Sequence, residues 1–182
     1  TDDKSSLFNL IGQIRKQADV DSSAVMVEGE IIDYINQSYG ELYDFIVKSY
    51  GSDYFIDGYT FVTNGENSQQ LPVDFHTLVS VDMKVGNITH PLQRFNFNER
   101  NKYLNSTETI INGVPKFRYR LKHGLITLYP IPEAGYDITL WYIPQLTKLS
   151  NYSDVIDDSI IKSWDNFIVI DCVIKILLKL GK

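Results

Sequence analysis

The stretch Ser159-Ile-Ile-Lys-Ser-Trp164-Asp-Asn-Phe-Ile-Val-Ile-Asp171-Cys-Val-Ile-Lys175-Ile-Leu-Leu-Lys179-Leu180 sets the terms of the fold. Large apolar residues recur at most helical angles, and Ser163, Asp171, Lys175 and Lys179 leave a single polar ridge. Asp171 and Lys175 stand four apart, the spacing at which opposite charges meet on a helix surface. Asp157-Asp158-Ser159 offers a capping oxygen and negative charge at the N-terminus, and Gly181 ends the run. The pattern predicts one helix over residues 160–180, covered on almost every side by its own chain or by a neighbour. If Trp164 is buried there, truncation to Ala costs roughly 3–5 kcal/mol. The apolar run from Phe167 to Leu180 is 14 residues and carries Asp171, Lys175 and Lys179, too short and too charged to span a bilayer.

Cover for such a helix is available at the other end of the chain. Leu7, Leu10, Ile11, Ile14 and Ala18 recur at helical spacing and predict a helix over residues 5–18. Asp19-Val-Asp-Ser-Ser23 breaks the pattern. Ile31, Ile32, Ile35, Tyr39, Leu42, Phe45 and Ile46 then predict a second helix over 27–49, with Gly51 placed to stop it. Gly29 and Gly40 each weaken that helix by about 1 kcal/mol relative to Ala.

Between Tyr54 and Pro144 the grammar changes, and all 6 prolines lie in this interval. Short alternating runs predict strands at 59–63, 77–85, 116–121, 125–129 and 136–143. Asn64-Gly65, Gly86-Asn87, His123-Gly124 and Ala134-Gly135 supply turns. Asn96, with Glu99 three residues on, predicts a short helix through Leu104. The expected fold is α+β: a helical bundle from residues 1–50 and 155–182, and a β-rich antiparallel subdomain inserted over 54–150 with one short helix near 96–104.

Composition bounds the function. With 182 residues, 43% hydrophobic and 22% charged, the chain can bury a real core and is not disordered. It holds 17 Lys+Arg against 23 Asp+Glu, a net charge of −6, which excludes a surface that grips nucleic acid everywhere. A local basic patch stays open. The 12 tyrosines suit interfaces, because Tyr joins apolar area to a polar tip at low entropy cost. The single cysteine, Cys172, excludes an intrachain disulfide and a Cys-based zinc site, and its apolar surroundings make it a core residue rather than a nucleophile. Thr1-Asp2-Asp3-Lys4 is polar with no apolar stretch behind it, so no secretory leader is expected. A soluble protein made in a reducing cytoplasm is the expectation.

No catalytic, metal or cofactor site is expected either. His76, His90 and His123 fall in separate strand ends and turns with no ligand spacing among them. Asp157 and Asp158 are adjacent, so on a helix they do not face each other as acid and base, and capping accounts for both. Glycine-rich phosphate loops and the Gly-x-Ser-x-Gly elbow are absent. One constellation stands out. In Lys116-Phe-Arg118-Tyr-Arg120-Leu-Lys122 four cations share one face of a strand, while Phe117, Tyr119 and Leu121 share the other. Three readings are open: a solvated edge strand whose cations deter pairing, contact with an acidic protein neighbour, or contact with nucleic acid phosphates. The aromatics on the opposite face weaken a base-stacking platform.

The order of pieces then resembles a known family. It runs through Ile31-Ile-Asp33-Tyr34-Ile35-Asn36, Leu71-Pro72-Val73-Asp74-Phe75, Pro91-Leu92-Gln93-Arg94-Phe95-Asn96, Gly113-Val-Pro115, Ile126-Thr-Leu128-Tyr-Pro130-Ile-Pro132 and Leu140-Trp141-Tyr142-Ile-Pro144. Over residues 25–180 this resembles the head-to-tail adaptor (connector) proteins of tailed bacteriophages, in the version with a β-rich insertion between helices. The resemblance implies a structural protein of the virion neck, not an enzyme. It implies a cyclic homo-oligomer, usually of about twelve copies. Such a ring docks on the portal of the head, receives tail proteins beneath, and passes DNA through its lumen without sequence-specific binding. A tail-side completion or terminator ring shares this assembly logic, and a nucleic-acid-binding module using residues 116–122 is an alternative of another class. Lys116, Arg118, Arg120, Lys122 and Trp164 are the candidate interface residues. A net-negative lumen wall would repel phosphate and let DNA slide. Adaptors of this kind often carry a further C-terminal segment that reaches the portal, beyond the point corresponding to Lys182 here.

Overall fold

The computed structural model describes residues 5–20, 26–104, 109–156 and 159–181. The elements begin with helices α1 (Leu7–Ala18) and α2 (Glu28–Tyr50), then strands β1 (Asp57–Val62), β2 (Ser68–Gln70), β3 (Phe75–Val85), β4 (Ile88–Pro91) and β5 (Gln93–Arg94). A tight turn at Phe97–Glu99 leads into helix α3 (Arg100–Leu104). Strands β6 (Ile110–Ile111), β7 (Val114–Pro115), β8 (Arg118–Lys122), β9 (Leu125–Tyr129) and β10 (Asp137–Pro144) follow, then helices α4 (Ser159–Ser163) and α5 (Asp165–Leu180). The fold is α+β, with helices at both ends and a largely antiparallel β region between them. Two compact units emerge, Thr1–Gly51 with Leu146–Lys182, and Ser52–Gln145. Among the described residues no helix is long and apolar enough to cross a membrane.

In the helical unit, α1, α2 and α5 each touch the other two. Leu7, Leu10, Ile11 and Ile14 of α1 meet a core that includes Ile31, Ile35, Leu42 and Ile46 of α2 and Ile168, Val169 and Ile176 of α5, all buried. Each such side chain contributes roughly 1.5–3 kcal/mol of transfer free energy. The first turn of α1 has orphan N–H groups, and the chain returning from the β unit satisfies them. Leu7 donates to the Asp154 carbonyl (2.9 Å) and Phe8 to that of Tyr152 (3.3 Å). The Asp154 carboxylate shapes that loop by accepting the backbone N–H groups of Ser150 and Asn151, both at 2.8 Å, and these bonds lower its pKa.

A second tie comes from Asn36 on α2. Its amide nitrogen donates to the Leu149 carbonyl (2.8 Å) and its oxygen accepts the Leu149 N–H (2.8 Å), pairing with that peptide as a strand would. Leu149 is thereby buried against the helices.

The C-terminal helix differs from the sequence expectation. Instead of one helix over 160–180 the chain forms α4 and α5, broken at Trp164, whose φ and ψ are −110 and 18. Trp164 donates its N–H to the Ile161 carbonyl and Phe167 donates to that of Trp164, both three-residue closures that interrupt the α-helical pattern. Asp165 opens α5, where its negative charge suits the helix dipole, and accepts the hydroxyl of buried Ser5 (3.3 Å). Trp164 is 49% exposed, so the condition of a buried tryptophan, on which the cost of roughly 3–5 kcal/mol depended, is not met. The Asp157-Asp158 cap lies outside the described residues.

The β unit holds two four-stranded sheets, β1-β10-β3-β4 and β2-β9-β8-β5, and the β6–β7 hairpin. Phe61, Val81, Met83, Ile138 and Leu140 of the first sheet share a core with Tyr119, Ile126 and Leu128 of the second, joined by Leu92 and Phe117. The β5–β8 pair is parallel; the other pairs within these sheets are antiparallel. β8 and β9 are joined by His123-Gly124 at φ 49 and 76, the left-handed pair that a two-residue hairpin requires. On β1, Gly58 leaves room for the Trp141 ring, which a Cβ would approach to 2.9 Å. The Trp141 indole N–H is then free to donate to Asp82 (2.7 Å).

The Asn36 tie and the exposed Trp164 give opposite expectations in equilibrium urea unfolding. Asn36→Ala strands the Leu149 peptide and should cost about 1–3 kcal/mol. Trp164→Ala should cost under about 1 kcal/mol, far below the value for a buried tryptophan.

Candidate interaction surfaces

The seam between α2 and α5 decides which way α5 faces. Ser38 is fully buried on α2, and its small side chain lets the helices approach. Its hydroxyl donates to Asp171 (2.6 Å) and accepts from Lys175 (3.1 Å) and from the Cys172 thiol (3.4 Å). Lys175 also pairs with Asp171 (2.7 Å) and with Glu41 of α2 (3.1 Å), and Lys179 pairs with Glu30 of α2 (2.6 Å). The polar ridge seen in the sequence is therefore laid along a neighbouring helix. Burial pulls the Asp171 pKa up, but hydrogen bonds from Lys175 and Ser38 and the Lys175 charge outweigh it, and the carboxyl is lowered. Burial pushes the Cys172 thiol up to about 11, against the Ser38 hydrogen bond, which keeps it an unreactive core residue.

With that ridge turned inward and Ile168, Val169, Cys172 and Ile176 in the core, α5 presents an apolar face to the outside. Phe167, Ile170, Ile174 and Leu178 recur at spacings of three and four, between 42% and 72% exposed, and Trp164 precedes them. On a wheel of 100° per residue they lie opposite the buried set. From Trp164 to Leu178 the face runs about 21 Å at helical rise. The sequence required cover on nearly every side, and this side has none within the described residues of the helical unit. Phe8 on α1 is also exposed and meets Tyr152 edge to face at 6.1 Å, beside a cleft of about 450 Å³ lined by Gly12, Arg15, Lys16 and Glu28.

The second surface is the outer face of β8. Arg118 and Arg120 are half-buried and Lys122 exposed, while Phe117 and Tyr119 face the core as the alternation predicted. Lys116 stands just before the strand, exposed, its backbone N–H bonded to the Thr109 carbonyl (2.8 Å). β8 pairs with β9 along its length and with β5 at Arg118 and Tyr119, so the edge-strand reading is corrected for that part of the strand. The strand's own aromatics face the core, but the cationic side is not free of rings. Rings from outside the strand reach the cationic face: Arg120 lies 4.4 Å from the Phe97 ring centre and Arg118 5.8 Å from that of Tyr103. Arg118 also donates to the Gln93 side chain on β5. Phe95, Tyr103 and Tyr129 form a small aromatic cluster next to them. Phe97 and Tyr103 were invisible to strand periodicity, because they arrive from the 97–104 segment.

The four cations thus sit together in the β unit, and Trp164 belongs to the helical unit. His76 is on β3, His90 on β4 and His123 in the β8–β9 turn. Among the described residues no cluster of His, Cys, Asp and Glu is able to hold a metal ion.

With the fold and these surfaces in view, a family profile described as SU10 adaptor protein matches residues 5–177. The chain belongs to the SU10 adaptor protein family. That is a family of phage head–tail adaptors, structural parts whose place is the neck of the virion. Among curated proteins no relative matches the chain. For a family of structural parts, surfaces that receive other proteins are the functional features to look for, and the α5 face and the β8 face are the two strongest.

The seam makes a pH prediction. A lowered Asp171 stabilises the fold fully above the ordinary carboxylate range, and that contribution is lost as pH falls through its folded pKa. Stability measured by urea unfolding should therefore drop on acidification below about pH 4. Asp171→Asn should be less stable at neutral pH and show a flatter acid limb; a parallel limb would mean the seam does not titrate with folding.

Proposed function

We propose that copies of this chain close into a ring that joins the portal of a phage head to the tail and leaves a channel for the genome. The observation that carries this reading is the apolar outer face of α5, taken with the family. An exposed stripe of four large apolar residues on a rigid helix is costly in water and rewards burial against a neighbour. Ring closure needs two different patches on each copy, because head-to-tail contacts repeat around an axis. The α5 face supplies one, and the cleft beside Phe8 and Tyr152 is a second apolar surface in the same unit. About twelve copies is the number that the resemblance implies. A net charge of −6 on each copy supports passage of DNA rather than retention, since a negative wall repels phosphate. DNA retention during packaging and its release at ejection follow from the same position in the neck.

Sedimentation velocity and native mass spectrometry, on the chain alone and mixed with portal rings, test this. Assembly should appear in at least the second condition. Ile174→Asp with Leu178→Asp should abolish it while leaving helical content unchanged, because both side chains are exposed. A chain that stays monomeric in both conditions would overturn the ring.

A further inference from the structure

Among the described residues the cationic row of Lys116, Arg118, Arg120 and Lys122 has no ion-pair partner. The imbalance is regional, since residues 94–122 hold seven Lys or Arg against two Glu. Stacking on Phe97 and Tyr103 and the bond to Gln93 fix the two guanidinium groups without neutralising them. A guanidinium whose flat face lies on a ring still has N–H edges to offer, and those edges match carboxylates.

The opposite pattern lies on α2. Its 23 residues include five acids and one lysine. Glu30, Asp33, Gln37, Glu41 and Asp44 recur at spacings of three and four, so they line one side of the helix. Asp33, Glu41 and Asp44 are exposed. From Glu30 to Asp44 this stripe runs about 21 Å. From Lys116 to Lys122 an extended chain covers roughly 20 Å. The two rows match in length and oppose in sign. Glu30 and Glu41 already hold Lys179 and Lys175, but a carboxylate has about four acceptor sites and takes a second cation on its free side.

We propose that the basic row of one copy docks on the acidic α2 stripe of a second copy, as a charge latch between neighbours. This rests on the reading that copies assemble, and names the partner surface. Nucleic acid would also satisfy the cations. The observations favour protein, because the acid surplus of the chain lies in the helical unit, which holds 14 Asp or Glu against 9 Lys or Arg. Such a surface repels phosphate and attracts the row.

Charge reversal tests the latch. Arg118→Glu with Arg120→Glu, or Asp33→Lys with Asp44→Lys, should each weaken assembly about tenfold or more, since like charges then meet. Lys116→Glu with Lys122→Glu, both exposed and free of ring contacts, repeats the test without disturbing the stacked arginines. Combining Arg118→Glu, Arg120→Glu, Asp33→Lys and Asp44→Lys should restore assembly in sedimentation velocity. Wild-type assembly that none of these changes weakens overturns the latch alone. So does assembly that is weakened but not restored in the combined variant, or row variants that assemble normally yet lose salt-dependent binding to a duplex oligonucleotide. A wild-type chain that stays monomeric beside portal rings overturns the ring and the latch together.

Discussion

The hydroxyl of Ser38, buried between α2 and α5, fixes the rotation of α5 in the helical unit more firmly than an apolar contact can. Two apolar helices in contact can slide by a turn or roll by a residue at modest cost, because dispersion and transfer terms have little direction. A buried hydroxyl shared by Asp171, Lys175 and Cys172 allows no such freedom, since a shifted register strands polar groups out of water. Glu41 and Glu30 extend the constraint along the helix through Lys175 and Lys179. Once these contacts choose the rotation of α5, the outer face follows. Phe167, Ile170, Ile174 and Leu178 are exposed because the opposite side is committed to the core and the flank to the seam.

This inversion explains what the sequence could and could not disclose. Apolar residues around most of the circumference of residues 160–180 gave the expectation of cover on nearly every side and left open who provides it, and one side has none within the described residues of the helical unit. Periodicity treats Asp171 and Lys175 as a ridge, but a ridge can face water or another helix, and Ser38 is too ordinary in sequence to announce the choice. The break at Trp164 has no glycine or proline to mark it, so continuity was the natural expectation. Asn36 was equally silent. Its value lies in a peptide 113 positions away, and local pattern carries no such information. Strands were more legible: the alternation at 116–122 gave the correct inward set, Phe117 and Tyr119, because alternation is a local property.

The β unit shows the same limit from another side. Counting aromatics within the strand put all of them on the core face, which is true of the strand and untrue of the surface. Phe97 and Tyr103 reach the arginines from a separate helical segment, a tertiary event. The consequence is chemical, because a guanidinium held on a ring loses rotamer freedom before any partner arrives and meets that partner with less left to lose.

Net charge is an average, and here the average misleads about where charge acts. The value of −6 combines a helical unit rich in acid with a β unit close to balance, inside which one segment is strongly basic. On the ring reading the two kinds of surface have separate tasks. An apolar helix face contributes free energy of association in proportion to area, but it recognises a neighbour in several registers almost equally well. Rows of opposite charge contribute little net energy at an exposed rim, yet they penalise every register that brings like charges together. A closed ring tolerates no accumulated error in the angle between copies. It therefore needs a contact that sets the angle as well as one that holds, and the latch gives the basic row, which no partner within the described residues explains, that directional part.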